Sequence, residues 1–280
     1  MTREQKELNF FLEPILPWLA RVTVPFPLAL LAGGVAAAIL GFLIAAPALR
    51  LRDDYLAIAT LGFAEIIRVI LTNAQPVTNG ALGLKGLPSF AGTGVVWACA
   101  AAAVLFMVLL VRSAYGRALK AVRDDEIAAA AMGIDVFRTK VVSFTVSSFM
   151  AGVGGALLGH VITTIDPRMF TFMLTFNILL VVVLGGIGSI TGSVIGSFAV
   201  TILMEALRFL DGPLDLGFVR TDGRPGLRMV VFSALLMAVV LFRQRGLMGT
   251  REFSWSMLAR AGLLPRAGRS GAAGGPHGAA

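Results

Sequence analysis

Charge, histidine, cysteine and tyrosine are all scarce in this 280-residue sequence. Charged residues make up 14%, whereas a water-soluble domain devotes about 25% to them, so most of the chain cannot be solvated by water. The single cysteine, Cys99, lies in an apolar run without an intramolecular partner, which excludes a disulfide framework and a cysteine metal site within one chain. With only His160 and His277, histidine-rich metal chemistry is unsupported as well, and no metal ligand set is expected. No G-x(4)-G-K-[ST] occurs. The glycines of "GGIGSITG" (Gly185, Gly186, Gly188 and Gly192) do not follow G-x-G-x-x-G and are flanked by apolar runs instead of a βαβ unit. No nucleotide site is therefore expected in this chain. No nucleophile–base constellation stands out either, so an enzyme is not expected.

Apolar sequence is what the chain has in abundance. It is 57% hydrophobic with a mean hydropathy of +0.84, and several runs approach the roughly 18 to 20 residues that cross about 30 Å of hydrocarbon as a helix. Hydropathy predicts spans at 26–49, 55–72, 93–112, 141–162, 170–184, 193–210 and 226–243. The fold class is all-α: a polytopic integral membrane protein of about seven transmembrane helices plus a short cytoplasmic helix. The fifth span is short, and "LGGIGSITG" separates it from the sixth by a tight glycine-permitted turn, so the two form a hairpin or a broken helix. Three regions follow: an N-terminal segment 1–24, a transmembrane domain 25–245, and a tail 246–280 whose Gly, Ala, Pro and Arg content predicts disorder.

Lysine and arginine set the orientation, because short cytoplasmic loops carry their excess. The segment 112–140 holds Arg112, Arg117, Lys120, Arg123, Arg138 and Lys140; the turn at 50–54 adds Arg50 and Arg52, and the tail from 243 adds six arginines. On the opposite side only Lys85, Arg168, Arg220 and Arg224 occur. The net charge of +8 is thus a topology signal in loops, not a basic surface interleaved with aromatics for nucleic acid. Seven spans with a cytoplasmic tail place Met1 outside, although Arg3, Lys6 and Arg21 precede the first span. Either an upstream membrane segment is missing, or residues 8–24 are themselves membrane-embedded. Prolines at 14, 17, 25 and 27 disfavour one continuous helix there.

The cytoplasmic insert "YGRALKAVRDDEIAAAAMG" (Tyr115 to Gly133) carries more than charge. Asp124 is a plausible N-cap, Asp125 and Glu126 place negative charge on the first turn, four alanines favour helix, and Gly133 suits the left-handed position after its end. A topology signal needs no defined structure, so capping at both ends favours a docking element over a solvated loop. Paired alanines followed four residues later by glycine (Ala128, Ala129, Gly133) resemble the coupling-loop signature of ABC importer permeases. Together, "LRLRDDYLAIATLGFAEIIR" (49–68), the insert through Ile134, "LLVVVLGGIGSITGSVIGS" (179–197) and "FRQRGLMG" (242–249) resemble the LivM-type permease of branched-chain amino acid ABC transporters, in order and over about residues 26–250.

The resemblance implies a non-catalytic, multi-pass subunit of a bacterial inner membrane. Its partners would be a second homologous permease, two cytoplasmic ATPase subunits that bind the ATP, and a periplasmic amino-acid-binding protein; no cofactor is implied in this chain. Within the loop 113–139, the ATPase contact would fall to Gly116, Arg117, Ala118, Arg123, Asp124, Glu126, Ala128, Ala129 and Gly133. Family members usually begin with further spans bearing a "GQxSLGHA"-like stretch, which nothing here matches, so the N-terminal segment is expected to be truncated or divergent.

Candidate path residues are Thr60, Glu65, Arg68, Asn177, Gly185, Gly186, Gly188 and Glu205. Glu65 with Arg68, and Glu205 with Arg208, are spaced i,i+3 and can meet on one helical face. Ionisable residues at membrane depth mark pathways by default, although both pairs lie in the outer halves of their spans, where snorkelling is cheap. His160 reads as a satisfied interfacial residue, and Ala151, Gly155 and Gly159 as a small-residue row for close helix approach. The outer loop "VTNGALGLKGLPSF" (77–90) is either a family-type loop that faces the binding protein or an ordinary flexible one. Urea or short amides are alternative solutes. An ion-coupled secondary transporter is the alternative class, weakened because each membrane carboxylate has an arginine three residues on.

Overall fold

The computed structural model describes residues 25–51 and 53–208, and beyond them only 214–215, 220–221, 230–234, 237, 241, 246 and 248–249. The expected N-terminal segment, most of the seventh span and most of the tail lie outside the described residues. Up to Asn177 the chain forms one compact unit and from Ile178 a second.

The first unit is built on four long apolar helices: α1 (Phe26–Ala48), α2 (Asp53–Asn73), and, after the short α3 (Gln75–Thr78), α4 (Thr93–Arg112); then, after the charge-rich insert, α7 (Val136–Ile162). Each is long enough to cross a bilayer at about 1.5 Å per residue. Pro27 sits in the first turn of α1, where its missing N–H costs nothing. Helix α7 starts about five residues before the expected boundary, because the Asp135 carboxylate accepts from the Arg138 N–H at 3.0 Å and so caps a polar first turn that hydropathy overlooks.

Helices α1 and α7 pack along each other. Lipid supplies no hydrophobic drive between helices, so close association relies on small residues, and here the contact runs through Gly33, Gly34, Ala37 and Gly41 on α1 against Ser148, Gly152 and Ala156 on α7. A β-carbon added at Gly152 would sit 2.5 Å from the Ala37 Cβ and 2.6 Å from the Gly33 carbonyl oxygen. The expected row Ala151, Gly155, Gly159 is therefore displaced by one residue. Gly155 has open space around it, and Gly159 instead receives the Ile165 side chain from the loop that follows. Outside the membrane, β1 (Leu84–Lys85) pairs antiparallel with β2 (Thr164–Ile165), and the Leu87 N–H donates to the Thr163 carbonyl at 3.1 Å. His160 Nδ1 lies 3.0 Å from the Pro88 carbonyl, and its ring meets Phe26 edge-on at 5.1 Å. The outer loop is thus pinned to the end of α7 instead of loose.

In the second unit, α8 (Phe172–Gly185, begun in the first) and α9 (Ile190–Ala206) are bent by 118° at the glycine turn, which realises the expected hairpin or broken span. The described residues therefore contain four spans, or five if the bent pair counts as one. Leu184, Val200, Leu207 and Phe232 form a buried apolar cluster. The helix backbones cross at Gly185 and Gly192, and the Met248 N–H donates to the Gly185 carbonyl at 3.2 Å, so the chain is still packed at the point where the tail was expected to begin. A short ladder, β3 (Leu214–Asp215) with β4 (Arg220–Thr221), completes this unit.

Candidate functional site

The charge-rich insert folds into two short helices, α5 (Ala114–Asp124) and α6 (Glu126–Ala131). Neither is long enough to persist unaided in water, so their ends must be held. Ser113 turns α4 into α5: its hydroxyl donates to the Leu110 carbonyl at 2.6 Å and accepts from the Gly116 N–H at 3.2 Å. Gly116 is buried against the carbonyls of Leu110 and Val111, where no side chain fits. The N-cap of α6 is Asp125, one residue later than expected. Its carboxylate accepts from the N–H groups of Ile127 at 2.8 Å and Ala128 at 2.9 Å, while Asp124 pairs with Arg123 through two bonds of 2.9 and 2.7 Å. Two adjacent aspartates are indistinguishable caps by sequence; Asp124 is still the last residue of α5, and Asp125 has the extended backbone of a cap. Gly133 ends α6 at φ +83°, and the Ile134 N–H returns to the Ala129 carbonyl at 3.1 Å.

The element is braced on α7. Lys140 Nζ lies 2.5 Å from Glu126, and the Tyr115 hydroxyl donates to the Thr139 carbonyl at 3.2 Å. Burial pushes the Tyr115 phenol above its ordinary pKa, opposed in part by the Arg138 charge. The Arg50 guanidinium, from the turn after α1, sits 5.8 Å over the Phe137 ring on the first turn of α7.

Of the predicted docking residues, Arg117, Arg123, Asp124, Glu126, Ala128 and Gly133 are exposed, and Ala118 is half-buried. Gly116 and Ala129 face inward; Ala129 is only 4% exposed, so it packs the element together and does not present a surface. The most exposed large apolar side chains of the element are two that the motif did not single out, Ile127 at 85% and Met132 at 82% exposure. The signal that could have found them was present: large apolar side chains among alanines in a segment too polar to enter lipid.

The membrane candidates divide differently. Both oxygens of Glu65 accept from Arg68, with Nε donating at 2.9 Å, and Arg208 donates to Glu205 at 3.0 Å. Thr60 is spent on its own helix, its hydroxyl donating to the Leu56 or Ala57 carbonyl. Asn177 is half-buried on α8. Gly185 and Gly186 are buried in the helix crossing, and Gly188 (φ +95°) is exposed at the turn. Among the described residues no group of His, Cys, Asp or Glu could hold a metal ion.

Comparison with known proteins points the same way. The profile of the family described as "Branched-chain amino acid transport system / permease component" matches residues 12–240. The LivM permease protein of the high-affinity branched-chain amino acid transport system of Escherichia coli K12 is 30% identical, over 77% of this chain and 55% of its own length. LivH of the same organism is 33% identical over 56% of this chain and 47% of its own length. The ribose import permease RbsC of Haemophilus influenzae is 26% identical over 66% and 60%. This chain thus spans about half the length of the LivM relatives it matches. No solved structure matches. With the profile covering most of the sequence and the apolar helices to carry it, the chain belongs to the branched-chain amino acid transport permease family, as a multi-pass membrane protein of the LivM type.

Proposed function

We propose that this chain is a membrane-spanning subunit of an ATP-driven importer of branched-chain amino acids in a bacterial inner membrane. It forms half of the translocation path beside a second, homologous permease, receives its solute from a periplasmic binding protein, and couples to two cytoplasmic ATPase subunits through residues 115–133. It performs no chemistry itself. The observation that carries the reading is a contradiction in the insert: a segment capped by Ser113, Asp125 and Gly133, lodged among charges, leaves Ile127 and Met132 almost fully exposed where there is no lipid to cover them. Exposed apolar side chains rimmed by polar ones favour a protein partner. Arg117, Arg123, Asp124 and Glu126 supply that polar rim, and Ala128 and Gly133 let a partner approach the backbone. In the membrane, Thr60, Glu65, Arg68, Asn177, Glu205 and the glycine turn at 185–188 are assigned to the path. The bracing by Lys140 and Tyr115 connects the insert to α7, and α7 to α1, so that movement of the ATPases reaches the spans.

The test is co-purification of the ATPase subunits with the chain carrying Ile127→Asp and Met132→Asp. Both side chains are exposed, so insertion and thermal stability should be unchanged while recruitment falls by at least about tenfold, the scale of losing two apolar contacts at an interface. Full recruitment by the double variant rejects the coupling assignment. Accumulation of leucine by the chain alone, driven only by an ion gradient, rejects the ATP-driven reading altogether.

A further inference from the structure

Glu65 lies well inside a described span and Glu205 at the end of α9, and each sits three residues before an arginine in the same frame: "FAEIIRVI" on α2 and "LMEALRFL" at the end of α9. In both, the ion pair is formed. At 1.5 Å per residue Glu65 lies roughly 18 Å, and Arg68 roughly 22 Å, from the inner end of α2, within the outer half of a hydrocarbon layer of about 30 Å. Two charges at that depth facing lipid are costly, yet no part of the apolar stretch of α2 is buried in this chain. Arg68 spends two of its five N–H groups on Glu65, which leaves three to donate elsewhere. One turn before Glu65 on the same face, Gly62 leaves open space. Ile58 and Leu61 border that notch, both exposed.

We infer that Glu65 with Arg68 is a zwitterion-binding site on the translocation path: the carboxylate takes the α-ammonium of an amino acid, and the guanidinium takes its α-carboxylate. The inference rests on the transport reading above and assigns the place on the path that takes the charges of the solute. An amino acid entering the membrane brings two opposite charges that must stay solvated, and a preformed pair of inverted polarity replaces water for both at once. Urea and short amides carry no charge and need no such pair. At α2 the open space over Gly62, beside the exposed Ile58 and Leu61, leaves room for an aliphatic side chain next to the charges.

The experiment uses the assembled complex in vesicles, with its sister permease, ATPases and binding protein, and measures uptake of leucine. Removing one charge, as in Glu65→Gln, hurts under any role because it strands the other. Removing both separates the roles: a purely structural pair tolerates Glu65→Gln with Arg68→Gln, since no unpaired charge remains, whereas a zwitterion site stays lost. Uptake by this double variant should fall at least about tenfold, with assembly and binding-protein-stimulated ATP hydrolysis unchanged, and the charge-keeping Glu65→Asp variant, which retains the guanidinium fork, should stay within about threefold. Normal uptake by the neutral pair overturns the assignment. So does its failure to assemble, or an equal loss in the charge-keeping variant. If the wild-type complex itself takes up no leucine, the transport reading fails, and not this site alone.

Discussion

Along α1 and α7 two backbones lie so close that Ser148, Gly152 and Ala156 rest directly on Gly33, Ala37 and Gly41, whereas in residues 113–135 each short helix is held at its ends by a hydroxyl, a carboxylate or a left-handed glycine. The apolar pair is fastened by shape and the charge-rich element by hydrogen bonds. Each solution follows from its solvent. Lipid is as apolar as the side chains it touches, so only intimate packing distinguishes helix from lipid. Water competes for every backbone group at a helix end, so a short helix survives there only if its caps outcompete it. The two regions should accordingly fail under different substitutions.

The largest effect is expected at Gly152. Valine there places its β-carbon against Ala37 and the Gly33 carbonyl, and overpacking of this kind costs about 1–3 kcal/mol or more. In detergent the Gly152→Val chain should lose its monodisperse folded peak or melt well below the parent. Gly155→Val, three residues on and with open space around it, should leave both measurements near those of the parent. Equal damage at the two positions rejects the α1–α7 register described here.

Next in size is the docking surface, where Ile127→Asp with Met132→Asp should abolish ATPase recruitment and leave stability within about 0.5 kcal/mol, as surface substitutions do. The Ala129→Arg exchange makes the contrast sharper. Because Ala129 is buried inside the element, arginine there should unfold α6 and lose recruitment together, seen as new protease cleavage between 124 and 134. Recruitment lost without such cleavage means that Ala129 touches the partner directly.

Smaller still is the cap. Asp125→Ala removes two charge-assisted bonds, at a cost of about 1 kcal/mol. The same exchange at Asp124, which pairs only with its neighbour Arg123 on the surface, should cost a few tenths of that. Amide hydrogen exchange of residues 126–131 compares the two directly. Equal effects would return the cap to Asp124.

How much of this was legible before the structure depended on how many residues could fill a role. Only glycine takes φ +83° without strain, so Gly133 was readable at once. The pairs Glu65–Arg68 and Glu205–Arg208 were readable because i,i+3 neighbours on a helix meet whatever else the fold does. The cap was misplaced by one because Asp124 and Asp125 are chemically equal. The α7 packing row was misplaced because small residues at 147, 148, 151, 152, 154, 155, 156 and 159 offer several rows, and the choice is made by the glycines of α1, more than a hundred residues away. The His160–Pro88 contact joins the end of α7 to a loop more than seventy residues earlier and left no local trace. The exposed Ile127 and Met132 were hidden by the motif itself, which marks the alanines and glycine that shape the element instead of the side chains it displays.

An effect of the same order as the cap concerns the brace between the two regions. Tyr115 reaches from α5 to the Thr139 carbonyl at the start of α7, and burial raises its pKa. A raised pKa means that the folded chain holds the phenolic proton more tightly than the unfolded one. The stability linked to it is fully present below the ordinary tyrosine value near 10 and is lost as pH climbs through the higher folded value. The chain has two tyrosines, Tyr55 and Tyr115, so in a Tyr55→Phe background the tyrosinate absorbance reports Tyr115 alone. Its midpoint should lie above the ordinary range and fall back to it when the protein is unfolded. Tyr115→Phe should cost about 0.5–1.5 kcal/mol, the worth of one hydrogen bond, and loosen α5 without disturbing the α1–α7 contact. A titration midpoint at the ordinary value in the folded state would mean that the phenol is solvated and that the brace consists of Glu126 and Lys140 alone.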